Sequence, residues 1–466
     1  MSGAARVRFH HDAKTKAQDT AHRQTIRGAI DTYNASVAQG KTRFADWKAA
    51  RQRCYEIKWE AVNHLDRYLE EFEANVLKRG GHVFWAADSG EARNYVLELA
   101  QARGVKSVVK SKSMVTEEIC LNPALEEQGI KVWETDLGEF IVQLRHEPPY
   151  HIVTPAMHLG RAQVSELFRA KIPNHVTGDS HEELVAAARR ALRREFFAAG
   201  MGITGANFLV ADTGMIALTS NEGNARLCTS LPRIHVVLAG IEKIIPRLQD
   251  LAALWPVLAA AGTGQHLTTY STLIGGGRAP QEIGGPEEFH VVLLDNGRSR
   301  LLADPEQRDI LQCIRCGACL NACPVYRNIG GHAYGTVYQG PIGSVLTPFL
   351  PGGAEYQHLS YASPLCGNCS SVCPVKIDLA RHLLQNRRKA VDQGSRPWRE
   401  RLGMRLWRWA MMKPGRFQLS GRIGKALLRA CGGRNISALK PWTEYRELPP
   451  APPASFREMW RKHEAR

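Results

Sequence analysis

Between residues 20 and 78 apolar side chains recur every three or four positions. HRQTIRGAIDTYNASVAQG and WKAARQRCYEIKWEAVNHLDRYLEEFEANVLKRG both carry this period, which predicts helices closed by Gly80–Gly81. From residue 82 short apolar runs alternate with helical segments. HVFWAA (82–87), VKSVVKSK (105–112), IKVWETDL (130–137) and HIVTPAM (151–157) read as strands. EARNYVLELAQARG (91–104) and HEELVAAARRALRREFFAAG (181–200) read as helices. ANFLVADTGMIALTS (206–220) predicts a hairpin around Asp212-Thr213-Gly214, and RIHVVLAG (233–240) and FHVVLLDNG (289–297) complete the strands. Strands and helices in this alternation predict an α/β domain.

With 466 residues the chain is too long for one ordinary core. The net charge of +16 sharpens the division, because Arg381 to the end holds 21 Lys and Arg against 6 Asp and Glu, leaving the rest near neutral. The first twenty residues hold no apolar stretch, so no secretory leader is expected. LAALWPVLAAAGTG (251–264) contains Pro256 and is too short to span a bilayer, so it reads as a buried helix. A cytoplasmic location is expected, with a peripheral one at the inner membrane face as the variant that the basic tail allows. GGGRAPQEIGG (275–285) neither follows a strand nor opens a helix, so it reads as a loop and not as a dinucleotide fingerprint.

Seven of the 11 cysteines crowd into residues 313–373. The first run is Cys313-x2-Cys316-x2-Cys319-x3-Cys323-Pro324; the second is Cys366-x2-Cys369-x3-Cys373-Pro374. Three thiolates at x2 spacing let one short loop meet three irons of a cubane, while the fourth cysteine reaches the other cluster. This crossed rule gives Cys313, Cys316, Cys319 and Cys373 to cluster 1 and Cys323, Cys366 and Cys369 to cluster 2. Seven thiolates leave cluster 2 one short, and the position where the eighth belongs is Ser363. An oxygen ligand, water, a partner ligand or a three-iron cluster all remain open. Gly317 permits close backbone approach, and Ile314, Ala318, Leu320, Ala322, Val325 and Ile377 supply a dry shell. Zinc sites pair their ligands across a dozen or more residues and fit the run poorly. Cys54, Cys120, Cys228 and Cys431 lie outside the pattern and read as free or buried thiols. No acid–base or nucleophile set flanks the cysteines, so electron transfer is the economical function.

LQCIRCGACLNACPVYRNIGGHAYGTVYQGPIGSVLTP (311–348) and YASPLCGNCSSVCPVKIDL (361–379) resemble the iron–sulfur protein of bacterial lactate utilisation, usually called LutB. TGANFLVADTGMIALTSNEGNARLCTSLPRIHVVLAGIEKIIP (204–246) resembles the LUD domain of that family, which is similar to isomerase and CoA-transferase-like α/β folds. The resemblance covers nearly the whole chain. It implies an electron-transfer subunit in a three-protein system oxidising L-lactate to pyruvate, with two [4Fe–4S] clusters on the seven cysteines in the crossed pattern. The expected layout is a helical extension (1–72), a LUD α/β domain (73–298), a ferredoxin-like two-cluster domain (299–385) and a basic helical tail (386–466). The expected partners are the other subunits of a lactate-oxidising complex and a quinone or other redox carrier.

Other residues carry weaker signals. In SNEGNARLC (220–228), Arg226 suits a lactate or pyruvate carboxylate and Glu222 stands beside it; a surface salt bridge or structural turn is the bland and slightly favoured reading. GGHAYGTVYQGPIG (330–343) brings His332, Tyr334 and Tyr338 between the motifs as a cover over the clusters, with docking of a redox partner or a His332 ligand as further options. His10 and His11 read as solvated. RPWRERLGMRLWRWAMMKPGR (396–416) predicts a helix that packs on its own protein, docks an acidic partner, or lays Trp407 and Trp409 on an anionic membrane. KPWTEYRELPPAPPASF (440–456) reads as extended. Two other functions stay open: a LUD domain that itself binds and oxidises a small hydroxy acid with the clusters as acceptor, and a zinc-stabilised nucleic-acid-binding protein, although nucleic acid is not an expected partner.

Overall fold

The computed structural model describes residues 4–394, 398–431, 443, 446 and 450–465. The chain forms two compact units, 1–388 and 389–466.

In the first unit six strands form a parallel sheet: β1 (His82–Ala86), β2 (Ser107–Lys110), β3 (Lys131–Glu134), β4 (Met201–Thr204), β7 (Ile234–Gly240) and β10 (Glu288–Leu294). Their order is β1-β10-β7-β4-β2-β3. Every residue of β7 is buried. Val236 and Leu238 enter one core, and Val237 and Ala239 the other, as the two-residue period of a strand covered on both faces requires. A second sheet, β8-β5-β6-β9, is built from β5 (Phe208–Val210), β6 (Met215–Ser220), β8 (Ile244–Ile245) and β9 (Tyr270–Ile274). The antiparallel β5–β6 pair is the hairpin expected around Asp212-Thr213-Gly214.

The strand expected at 151–157 does not form; the segment is a loop. Nδ1 of His151 accepts the N–H groups of Val153 (3.0 Å) and Thr154 (3.2 Å), and Pro155 has none to give, so the donors a ladder needs are spent locally. Strands β4, β8 and β9 lie outside the expected set. The expected helices at 91–104 and 181–200 are present as Ser89–Ala102 and His181–Ala198. Residues 251–264 hold the buried helix Leu251–Gly262, with Pro256 inside it.

The N-terminal helices Ala4–Gln18, Thr20–Lys41 and Trp47–Asn63 pack on the cysteine region: Phe9, Ile26, Ile30 and Ile57 share one core with Cys316, Cys319, Cys323, Cys369 and Cys373. Helix Ala4–Gln18 lies within the helical extension expected at 1–72, although no apolar period marks it: it is polar almost all round and buries only Ala5 and Phe9. His10 and His11 are exposed, as expected.

The second unit holds helices Trp398–Met411, Pro414–Cys431 and Phe456–Glu464. Of 440–456, expected to be extended, residues 440–442, 444–445 and 447–449 lie outside the described residues, 450–455 are irregular, and 456 opens helix Phe456–Glu464. No helix among the described residues is long and apolar enough to cross a membrane.

Candidate functional site

The two cysteine runs fold as copies of one loop. Gly317 (φ +77°) and Gly367 (φ +80°) each follow a cysteine and each start a short helix, Ala318–Ala322 and Asn368–Val372. Each helix stops at an extended cysteine, Cys323 or Cys373. A Cβ on Gly317 would meet Val153 at 3.0 Å and His151 at 3.1 Å, so the 151–157 loop packs directly on this turn.

The thiols sort into two groups. Cys319 lies within electrostatic reach of Cys313, Cys316 and Cys373, and Cys316 and Cys373 of Cys313. Cys323 and Cys369 form the other group with Cys366. Proximity is therefore crossed: the last cysteine of each run faces the first cysteines of the other. Burial, then neighbouring thiols, push the Cys373 thiol up to about 12 and Cys369 up to about 11. Backbone donors from Ala318, Ile342 and Ile377 point at Cys316, Cys319 and Cys373, with Ile377 N at 3.3 Å from the Cys373 Sγ. Buried thiols gathered around backbone N–H donors suit a group that binds them as thiolates and supplies positive charge. Cys323, Cys366 and Cys369 line one cavity together with Ser363.

The four other cysteines take no part in these groups. Cys54 and Cys228 are buried, and burial pushes each thiol up to about 12, so both are inert. Cys120 is exposed, and the side chain of Cys431 lies outside the described residues. His332 has a carbonyl, not a cysteine, as its partner: its Nε2 donates to Pro148 O at 2.8 Å. Tyr334 lines the cavity at Cys366, and the Tyr338 ring lies under Arg315 at 4.5 Å.

The first cysteine loop is tied to the sheet by a buried chain of charges. Arg298 donates to both carboxylate oxygens of Glu118 (2.9 and 2.8 Å) and to Glu242 Oε2 (2.5 Å). Arg315 Nη2 completes Glu242 at 3.2 Å. Burial alone would raise Glu242, but Arg298 and Arg315 hold it down to about 2. Lys58 Nζ donates to the carbonyls of Glu242 (2.6 Å) and Ile244 (3.0 Å).

A cavity of about 400 Å³ opens against this loop. Lys112, Asn207, Glu222, Lys243, Arg315 and Cys316 are among its walls. These residues are scattered along the chain, and only the fold brings them together beside Cys316. Glu222 is exposed as a residue, while its Oε2 accepts the Leu137 N–H at 2.9 Å; desolvation of the carboxyl and then Asp136 raise its pKa. Arg226 is absent from the walls. It lies exposed over the Tyr270 ring at 5.5 Å, so of the two readings offered for it the carboxylate role gains no support and the surface one stands.

Known families match the chain in three stretches: the LUD domain at 69–294, the 4Fe-4S dicluster domain at 309–377, and the C-terminal domain of lactate utilisation protein B at 384–465. Lactate utilization protein B of Geobacillus sp. (strain WCH70) is 42% identical over 98% of this chain and 97% of its own. The protein of that name from Bacillus licheniformis is 41% identical over 96% of each. The chain belongs to the lactate utilisation protein B family. It is an iron–sulfur protein of that family, and a dicluster domain carries two [4Fe–4S] clusters; nothing supports the zinc-stabilised nucleic-acid-binding alternative. Among solved structures, a DUF162 family protein from Deinococcus radiodurans covers 49% of this chain and 98% of its own at 14% identity, with a TM-score of 0.27.

Proposed function

We propose that this chain relays electrons within a multi-protein system that oxidises L-lactate to pyruvate. Cys313, Cys316, Cys319 and Cys373 hold one cluster, and Cys323, Cys366 and Cys369 hold the other. The observation that carries this reading is the crossed proximity of the thiols, which ties the two sites together through both cysteine runs. When bound, two adjacent clusters supply one-electron redox chemistry in series. The chain's own residues bury the thiols, direct backbone N–H groups at them and set cations around the first group. Arg51 fixes the second run by donating from Nε and Nη2 to Cys373 O at 3.0 and 2.7 Å. The LUD sheet, the two-cluster region and the basic tail form separate functional parts behind a helical N-terminal segment. The tail docks an acidic partner subunit, and the final acceptor is a quinone or a second carrier.

Anaerobic purification with iron and sulfide counts, followed by EPR before and after dithionite, tests the reading. About eight irons per chain with reduced [4Fe–4S] signals is the expected result. Cys373→Ala lies in the second run, yet it should disturb the same EPR signal as Cys316→Ala. Separate signals for these two variants overturn the crossed assignment. Lactate-dependent reduction should require the partner subunits.

A further inference from the structure

The cavity beside Cys316 occupies a particular place in the sheet. After β2 the chain steps outward to β3; after β4 it steps the opposite way, to β7. The loops leaving β2 and β4 therefore diverge, and a crevice opens at their carboxyl ends, where open α/β sheets bind ligands. Lys112 follows β2, Asn207 follows β4, Lys243 follows β7, and all three line this crevice.

Its electrostatics are unbalanced. Lys243 is 8% exposed and has no hydrogen-bond or ion-pair partner among the described residues. Arg315 Nη1 is also buried without a partner. Glu242, the nearest acid, is already consumed: Oε2 accepts from Arg298 and Oε1 from Arg315. Lys112 is spent on Val153 O at 2.6 Å. Two buried cations with spare donors thus border one cavity; the Cys313 thiol, a cluster ligand in the reading above, balances part of their charge, and their unused N–H groups are left for a ligand in the cavity both line. Asp136 and Glu222 share the walls and disfavour a multiply charged ligand.

We propose that this crevice binds a small 2-oxo or 2-hydroxy monocarboxylate, with Lys243 as its anchor and Arg315 as second donor, against the loop that carries Cys316. The 2-oxygen part of that identity rests on the lactate-oxidation reading; the monoanion rests on the walls alone. Lys243 is a binding residue, and no electron or proton step is assigned to it.

The test uses the full chain with clusters intact and 13C-pyruvate, L-lactate and inorganic phosphate as probes, followed by ligand NMR. Saturable pyruvate or L-lactate binding is expected. Lys243→Met should weaken it at least tenfold and Lys243→Arg should retain most of it, with iron and sulfide unchanged. Ala259→Leu fills the cavity from the helix wall without touching a cation, and should exclude the probe even if Lys243→Met folds poorly. Reduction of the protein should broaden the bound pyruvate signal, because Cys316 shares the cavity. No saturable carboxylate binding, wild-type binding in both Lys243→Met and Ala259→Leu, or binding of phosphate alone overturns the proposal. Iron counts and dithionite EPR on the same samples read the electron-relay function separately, so loss of one is distinguishable from loss of the other.

Discussion

Ser363 stands in the second cysteine loop where Cys313 stands in the first. Each precedes a left-handed non-glycine residue by two positions, Leu365 (φ +56°) and Arg315 (φ +59°), and each is followed by the same cysteine, glycine and short helix. The Ser363 hydroxyl accepts the Leu365 N–H at 3.1 Å and lines the cavity of Cys323, Cys366 and Cys369. A thiol placed there meets the same cavity from an equivalent backbone. Ser363→Cys should therefore keep the full iron content and resist ferricyanide, where the parent chain loses about one iron and gains a three-iron EPR signal. Equal loss in both proteins would show that the backbone equivalence does not extend to the bound cluster.

The buried charge chain makes a second prediction. Arg298 pairs with both Glu118 and Glu242, and all three side chains are almost fully buried. Arg298→Met leaves two buried carboxylates without their shared cation, which should cost about 3–5 kcal/mol. Urea unfolding followed by circular dichroism reads the loss, and the Glu118→Gln/Arg298→Met pair should recover part of it. Because Glu242 also holds Arg315 beside Cys316, iron content should fall in Arg298→Met. A loss under about 1 kcal/mol would mean that the carboxylates find other partners.

How much of this was legible in the sequence depends on distance along the chain. The cysteine loops were, because cluster spacing is local. The hairpin at Asp212-Thr213-Gly214 was legible too, since its turn residues lie between its strands. Strand β4 was not: four residues directly behind helix His181–Ala198 leave no room for a period to show. The false strand at 151–157 has an apolar run, but a histidine ring takes its donors. The cavity was out of reach altogether, because Lys112, Asn207, Lys243 and Arg315 meet only through strand order. Arg226 offered a carboxylate-binding reading because it stands in a polar loop, with a surface or turn role slightly favoured; its side chain is exposed and outside the cavity.

Acid should destabilise the α/β domain through its buried histidines. Burial, then His290, holds His235 down to about 3; burial also holds His158 down to about 4, despite its bond to Glu147 at 2.9 Å. Their unfolded value is about 6.5. As pH falls below 6.5 the unfolded chain takes up protons that the folded chain refuses. Stability should then drop by about 1.4 kcal/mol per pH unit for each such histidine, down to its folded pKa. His235 is completely buried, with Nε2 at 2.9 Å from Thr204 Oγ1. His235→Gln should flatten the fall of the thermal midpoint between pH 6.5 and 5, read by circular dichroism, even if it lowers the midpoint at pH 7.5. Parallel curves for the two proteins would remove His235 from the account.

The second unit exposes tryptophan and arginine on one short helix. Trp407 and Trp409 are 57% and 50% exposed, among Arg401, Arg405 and Arg408, with Leu402 and Leu406 also open. Isolated apolar side chains are ordinary on a surface, but a contiguous set interleaved with arginine has the composition of an interface centre. Trp407→Ser with Trp409→Ser should leave iron content and the LUD fold unchanged while weakening association with the partner subunits at least tenfold in sedimentation. Raising salt from 0.1 to 0.5 M should weaken the parent complex as well, because screening removes the attraction of the arginines for an acidic face. Intact association of the double variant, together with its failure to pellet on anionic vesicles that the parent chain binds, would assign the helix to a membrane surface instead.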